Sequence, residues 1–243
     1  MLPCVTTSWD DGHPLDFRIA ELLDKYNLKG TFYIPRHNEE HEVMEETAIA
    51  ELGRHFEIGG HTFHHKAVFE VDALQWREEV DSCYRWLHQL LGTPPQSFCF
   101  PKGQINRAAA EAVFAAGFHT GRTTELLSTA PRTGNRIKPT TLQVYEHNRP
   151  TYIRHLLKRG RGFNLLRWML QGGETDLERL TEKFLEQTLQ TKGCFHLWGH
   201  SWEIESCGLW KQLEQMFRRL SGLAEIAYIE NKDLPQQSLQ ASA

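Results

Sequence analysis

"CVTTSWDDGH", residues 4–13, is a β-prone run that ends on two adjacent acids and a glycine. "PLDFRIAELLDKY" follows at once, with Phe17, Ile19, Leu22, Leu23 and Tyr26 at roughly helical spacing. The reading of this first strand–turn–helix unit decides between two architectures. An open doubly wound sheet announces its ligand with a glycine-rich first turn, and the first turn here is "DDGH". The unit then recurs. "GTFYI" (30–34) precedes an acidic helical stretch ending near His55, "FEIGGH" (56–61) precedes "VDALQWREEVDSCYRWLHQLLG", and "SFCF" (97–100) precedes "INRAAAEAVFAAG". "FHTGRTT", "TTLQVY" (140–145), two helical blocks within 151–191, "GCFHLWGH" (193–200), a helix around "LWKQLEQMFRRLSG" and "EIAYI" (225–229) complete the series. Such alternation predicts parallel strands joined by crossover helices. With seven or eight strands, an α/β fold of the closed or partly closed (β/α) barrel type is expected. One domain is expected over 1–229, followed by a polar, disordered tail over 230–243.

Composition narrows the function classes. An apolar fraction of 40% supplies a sizeable core, and a net charge of -4 argues against a general nucleic-acid binder. There is no apolar run of the length that a transmembrane helix needs, and "MLPCVTTSWDD" lacks the basic start and apolar stretch of a signal peptide. The cysteines at 4, 83, 99, 194 and 207 are odd in number, scattered and without a C-x-x-C pair. They read as reduced thiols of a cytoplasmic protein.

Chemically distinctive residues fall just after strands: Asp10 and Asp11, His61 and His65, "PKGQ", and His200. In a (β/α) barrel the strand C-terminal ends share one face, and that face carries the active site. A lone His is ordinarily a satisfied surface or core residue, but recurrence at the same end of successive strands is not explained that way. In "HTFHH" (61–65) the two outer histidines are four apart, and on one helical turn their rings would face a common ion. Two imidazoles with one carboxylate form a recurrent catalytic ligand set for zinc and similar divalent metals. Of the two adjacent acids one would be the ligand and the other a base, in a site where a metal lowers the pKa of water to about 7. His200 is placed to protonate the leaving group. His196, Trp198 and His200 share one face by strand alternation.

The set "SWDDG", "HTFHH", "FPKG" and "HLWGH", in this order, resembles the polysaccharide deacetylases, or carbohydrate esterase family four, over roughly residues 4–229. The resemblance implies a distorted, TIM-like (β/α) barrel of about seven strands. It also implies a metal-dependent N- or O-deacetylase acting on an acetylated sugar or glycan. It places the base on Asp10, the metal on Asp11, His61 and His65, and the acid on His200. The ion implied is divalent: zinc foremost, with cobalt, nickel or iron as alternatives. The third family motif, R-x-P-Y-G, is altered here: Cys99 stands where Arg is expected and Lys102 where an aromatic is expected. Arg122, in "GRTT" on the next strand, is the candidate to orient the base in place of that Arg. Backbone N–H groups near Gly103 are candidate oxyanion donors. Trp198 and Trp202 are expected to wall the pocket, and Glu203 to touch His200. Two further readings stay open: another C–N hydrolase acting on a small amide or cyclic imide, and a silent sugar-binding domain.

One stretch stands apart. "RHLLKRGRGFNLLRW" (154–168) places Arg154, Lys158, Arg159, Arg161 and Arg167 among leucines. It reads first as a solvated helical face. The alternative is an anion site for a phosphate on the substrate, since guanidinium forks suit phosphate.

Overall fold

The computed structural model describes residues 2–129, 135–158, 160, 162–170 and 172–234. Among these, eight strands lie on one hydrogen-bonded path. They are β1 (Cys4–Asp10), β2 (Gly30–Ile34), β3 (Glu57–Gly60), β4 (Ser97–Cys99), β5 (Thr120–Arg122), β6 (Ile137–Lys138), β7 (Leu142–Gln143) and β8 (Cys194–Gly199). Every pairing is parallel, and the order is β6-β5-β4-β3-β2-β1-β8-β7. The two ends of that path, β6 and β7, are joined by Pro139–Thr141 alone. Three residues span at most about 14 Å, so the sheet must curl until its edges meet. Backbone bonds finish the closure: Thr141 N–H donates to the His196 carbonyl at 2.8 Å, and Leu127 N–H to the Thr141 carbonyl at 2.8 Å. A short β9 (Ala227–Tyr228) pairs with the start of β1, where β2 has not yet begun. The barrel expected from the alternation is present. The two-residue β6 was not anticipated, because so short a strand has no periodicity to read.

Helices cover the outside: α1 (Asp16–Lys25), α2 (Glu46–Leu52), α3 (Ala73–Leu91), α4 (Arg107–Ala116), α5 (Arg149–Lys158), α6 (Gly162–Leu170), α7 (Leu177–Thr191), α8 (Ser201–Ser206) and α9 (Trp210–Leu220). Their apolar stripes have helical period. In α3, Trp76, Val80, Cys83 and Leu87 are buried in steps of four, three and four. Asp72 caps that helix in a reciprocal box with Gln75, and left-handed Gly92 ends it. The expected acidic helix before His55 is only the seven-residue α2, since Arg36–Glu45 forms a loop. The two helical blocks expected over 151–191 are three helices, because the chain turns again near Gly172 and Gly173.

The barrel interior is polar, which reverses the usual expectation. Along β1, Val5 and Trp9 join the apolar cluster beneath the helices, with Trp9 edge-on to Phe217 of α9. Thr6, Ser8 and Asp10 alternate with them and face inward. The Thr6 hydroxyl donates to Asn231 Oδ1 at 2.9 Å, and Ser8 Oγ lies 2.8 Å from His196 Nε2. Next to them Glu57 is buried but satisfied, accepting from the Thr31 and Ser97 hydroxyls at 2.6 Å each and from Lys232 N–H at 2.9 Å. Burial pushes the Glu57 carboxyl up, against the pull of those bonds. Close approach to this interior also explains Gly59: a Cβ there would sit 2.5 Å from the Tyr33 ring and 2.8 Å from the Ser97 hydroxyl.

These contacts revise the expected domain boundary. Residues 230–234 are not part of a disordered tail: Asn231 is buried, its amide donates to the Tyr33 hydroxyl at 2.9 Å, and Leu234 is buried as well. Asn231 and Lys232 supply hydrogen bonds to the barrel's floor. The rest of the expected tail, 235–243, lies outside the described residues. Asn231→Ala should leave buried Thr6 and Tyr33 hydroxyls unpartnered and lower stability by about 1–3 kcal/mol, read as a lower urea midpoint at unchanged slope.

Candidate active site

Strand β1 delivers both acids, and backbone geometry separates them. Asp10 is the last residue of the strand and keeps its inward alternation. Asp11 N–H still extends the ladder to the Tyr33 carbonyl at 3.0 Å, but its φ is 81°, in the left-handed region that non-glycine residues rarely occupy. Gly12 follows at φ 65°. This kink turns the Asp11 carboxylate away from its neighbour and toward the mouth of the barrel.

There Asp11 meets the two histidines. Its Oδ1 lies 3.5 Å from His61 Nε2 and 3.2 Å from His65 Nε2. The three donor atoms lie within 4.8 Å of one another. The pairing of His61 with His65 was expected from a helical turn, and that reason is wrong. The segment is a loop after β3, and left-handed Thr62 (φ 61°) and His65 (φ 55°) fold it back so that the rings approach at 4.9 Å. The His61 ring is oriented by Nδ1, 2.8 Å from the Cys99 carbonyl, which leaves Nε2 for the Asp11 side. Asp11 Oδ2 accepts from Trp202 Nε1 at 2.9 Å, whereas its Oδ1 is buried with no hydrogen-bond partner. Burial alone would raise the Asp11 carboxyl; the His61 and His65 contacts and the charge at His200 hold it well below the usual carboxylate range. An orphaned carboxylate oxygen facing two imidazole nitrogens fits a divalent cation of the zinc type.

Asp10 has a different partner. Arg122, at the end of β5, is buried and its Nη2 is ion-paired and hydrogen-bonded to Asp10 Oδ1. The strand register explains the reach: Arg122 is the direct partner of Cys99 across the β4–β5 pair, so it stands at the same height as the position that lacks the motif Arg. Cys99 is smaller than an arginine and leaves room; its thiol, pushed up by burial, lies 3.6 Å from Asp10 Oδ2. The Arg122 guanidinium stacks over Trp198 at 4.7 Å and Tyr33 at 5.3 Å.

His200 closes the far wall just past β8. Its Nε2 lies 3.9 Å from Asp11 Oδ2, and its Nδ1 lies 3.2 Å from Glu203 Oε2. Burial would lower this imidazole, but the Glu203 hydrogen bond and the Asp11 and Asp10 charges prevail and raise it to about 9. Glu203 is held in turn by Gln143 Nε2 at 2.9 Å, and Gln143 Oε1 lies 3.0 Å from His147 Nε2.

A cavity of about 280 Å³ joins these groups, lined by Asp10, Asp11, His61, His65 and His200 among others. Lys102, Trp198 and Trp202 line it too. Trp202 stacks on His41 at 3.8 Å. Lys102 is tied to Glu70 at 2.7 Å and Glu40 at 3.3 Å. Gly103 falls instead in an adjoining cleft of about 600 Å³, with Lys158 of α5. The Gly103 N–H donates to the Phe100 carbonyl at 2.9 Å, so this one N–H of the turn is already paired. Sequence reasoning missed His41, Gln143 and His147. None carries a motif, although Gln143 and His147 are four apart after a strand. Of the basic stretch, Arg159 and Arg161 lie outside the described residues.

Comparison with known proteins agrees with this geometry. Residues 2–121 match the family model described as polysaccharide deacetylase. A peptidoglycan-N-acetylglucosamine deacetylase of Bacillus cereus is 30% identical over 103 residues, 42% of this chain but only 37% of that protein. A structure from Mycobacterium smegmatis assigned to the polysaccharide deacetylases superposes with a TM-score of 0.67 at 14% identity, covering 94% of this chain and 87% of that one. The chitin deacetylase of Colletotrichum lindemuthianum superposes with a TM-score of 0.63 at 12% identity, covering 99% and 91%. At these identities the structural likeness is one of fold. The matched segment holds Asp10, Asp11, His61 and His65, and the remainder of the chain completes the same fold around them: residues 2–121 match the polysaccharide deacetylase family, and the whole chain shares the fold of solved structures assigned to it.

Proposed function

We propose that this chain is a metal-dependent hydrolase that removes N-acetyl groups from a sugar or glycan, with O-acetyl groups as alternative substrates. One observation carries the reading. The cavity sets a three-ligand cluster, an arginine-paired carboxylate and a glutamate-paired histidine around one space. Asp11, His61 and His65 would hold the cation, zinc by preference, with cobalt, nickel or iron also compatible with this donor set. The cation would supply Lewis acidity toward the acetyl carbonyl.

The chain's own residues do the proton work. Asp10 is the base: Arg122 fixes one of its oxygens and leaves the carboxylate edge toward the cavity to accept a proton from the attacking water. His200 is the acid. Its Glu203 partner favours the charged imidazolium, which hands a proton to the departing sugar amine. Trp198 and Trp202 give the pocket apolar walls suited to the acetyl group and sugar ring. In the adjoining cleft, Lys158 offers a place for a phosphate on the substrate. The scattered thiols favour a cytoplasmic setting for this chemistry.

Three experiments test the reading. Acetate release should be measured over a panel of acetylated sugars, nucleotide sugars and small amides. Release from the sugars that chelation abolishes and added zinc or cobalt restores is expected; turnover of small amides alone would reject the sugar assignment. Separately, His61→Ala and His65→Ala should each lose bound metal by elemental analysis while the circular dichroism spectrum is unchanged. Full metal stoichiometry in either variant removes that residue as a ligand.

The acid and base are distinguished by what each variant spares. Asp10→Asn should lower kcat by about 10²–10⁴-fold while metal content stays at the wild-type level. His200→Ala should impair amide cleavage far more than cleavage of a phenolic acetate, because phenolate departs without a proton. Equal loss on both substrates would exclude His200 as the acid.

A further inference from the structure

The stretch between His147 and Gly173 contains none of the chain's 31 acidic residues but six of its 27 Lys and Arg residues. It builds the α5–α6 hairpin, whose two faces differ sharply. The inner face is anchored. Tyr152 and Trp168 are buried and meet at 5.3 Å, Trp168 Nε1 donates to the Glu174 carbonyl at 2.8 Å, and Arg149 Nε donates to the Gly173 carbonyl at 2.9 Å.

The outer face is apolar and open to solvent. Leu166, Met169 and Leu170 are spaced three and four apart, so they share one side of α6, at 55%, 55% and 79% exposure. Leu157, at the end of α5, is 59% exposed. On the same two helices Arg154 and Lys158 are exposed, and Arg167 is half-buried. A protein surface ordinarily breaks up such a group of large aliphatic side chains. Aliphatic side chains accompanied by cations, in a stretch without acids, match the apolar and anionic layers of a lipid surface.

We propose that the α5–α6 hairpin docks the protein on an anionic lipid bilayer, its aliphatic side chains in the interface and its arginines on lipid phosphates. The place in the fold gives this a consequence. His155 of α5 lines both the catalytic cavity and the adjoining cleft, and Lys158 lines the cleft, so the docked face borders the mouth of the site. Substrates presented at a lipid surface would reach the cleft without leaving it. No helix among the described residues is long and apolar enough to cross a membrane, so contact is with the surface. The docking does not depend on the deacetylase reading, because it is measured as binding.

The full chain should be co-sedimented with vesicles of phosphatidylglycerol and phosphatidylcholine, and with phosphatidylcholine alone. It should pellet with the anionic vesicles, remain largely in solution with the neutral ones, and release as salt is raised. The triple variant Leu166→Glu, Met169→Glu, Leu170→Glu should lose vesicle binding. Arg154→Gln with Arg167→Gln should weaken it about 30-fold. Circular dichroism checks folding, and the salt series and the arginine pair keep the test valid if the triple variant misfolds. Wild-type protein that stays in solution with anionic vesicles overturns the proposal. So does a lipid-free dimer that the triple variant converts to monomer, since a second copy would then be what covers this face.

Discussion

The ion pair between Arg122 and Asp10 is the contact around which this barrel is organised. Its partners come from β5 and β1, four steps apart in the strand order, so they meet only because the sheet curls. Both groups are buried, and removing one partner of such a pair costs about 3–5 kcal/mol because the other charge is left without compensation. Trp198 and Tyr33 flank the guanidinium, and the Cys99 thiol lies 3.6 Å from the second carboxylate oxygen. The pair therefore ties the orientation of the carboxylate proposed as the base to the packing of five strands.

Below that level the barrel is filled by hydrogen bonds where a (β/α) barrel usually has branched apolar side chains. Thr6, Ser8, His196, Asn231 and Glu57 form this floor, and the floor is satisfied from the chain's C-terminal segment. Burial leaves His196 well below the usual imidazole range, so it works as a neutral partner to Ser8. Above the floor, the left-handed backbone at Asp11 and His65 turns side chains into the mouth. Backbone in that region costs of order 1–3 kcal/mol at a non-glycine residue, and such strain concentrates at functional sites. Apolar packing beneath the helices supplies the stability that lets the interior carry charge and strain.

The altered third motif shows how an arginine contact to Asp10 can come from the neighbouring strand. A family member normally orients its base with an arginine at the position Cys99 occupies here. In this chain the guanidinium arrives from the neighbouring strand at the same height, since Cys99 and Arg122 are register partners. The two solutions need opposite volumes at the two positions, a small residue on β4 and a large one on β5. His200 shows the same economy: Glu203, one helical turn further along α8, supports its ring, and Gln143 fixes Glu203.

What the sequence determined by itself was the part written in local pattern. Alternating strand and helix periods, with "DDGH" in place of a glycine-rich turn, specified a parallel barrel. The positions of Asp10, Asp11, His61, His65 and His200 just after strands placed them at one end of it. These features are local, because periodicity and strand ends depend on a few neighbouring residues. Tertiary structure alone decided the rest. A spacing of four suggested a helix at His61 and His65, but a loop with two left-handed residues brings them together. The polar segment 230–234 looked like tail, yet it completes the floor, because the need for its hydrogen bonds lies on strands up to 225 residues away. Arg122 was named as the candidate to stand in for the motif Arg, but only the register put it beside Asp10. Side-chain chemistry can be read along a chain, but which charge a buried charge will meet depends on how the sheet closes.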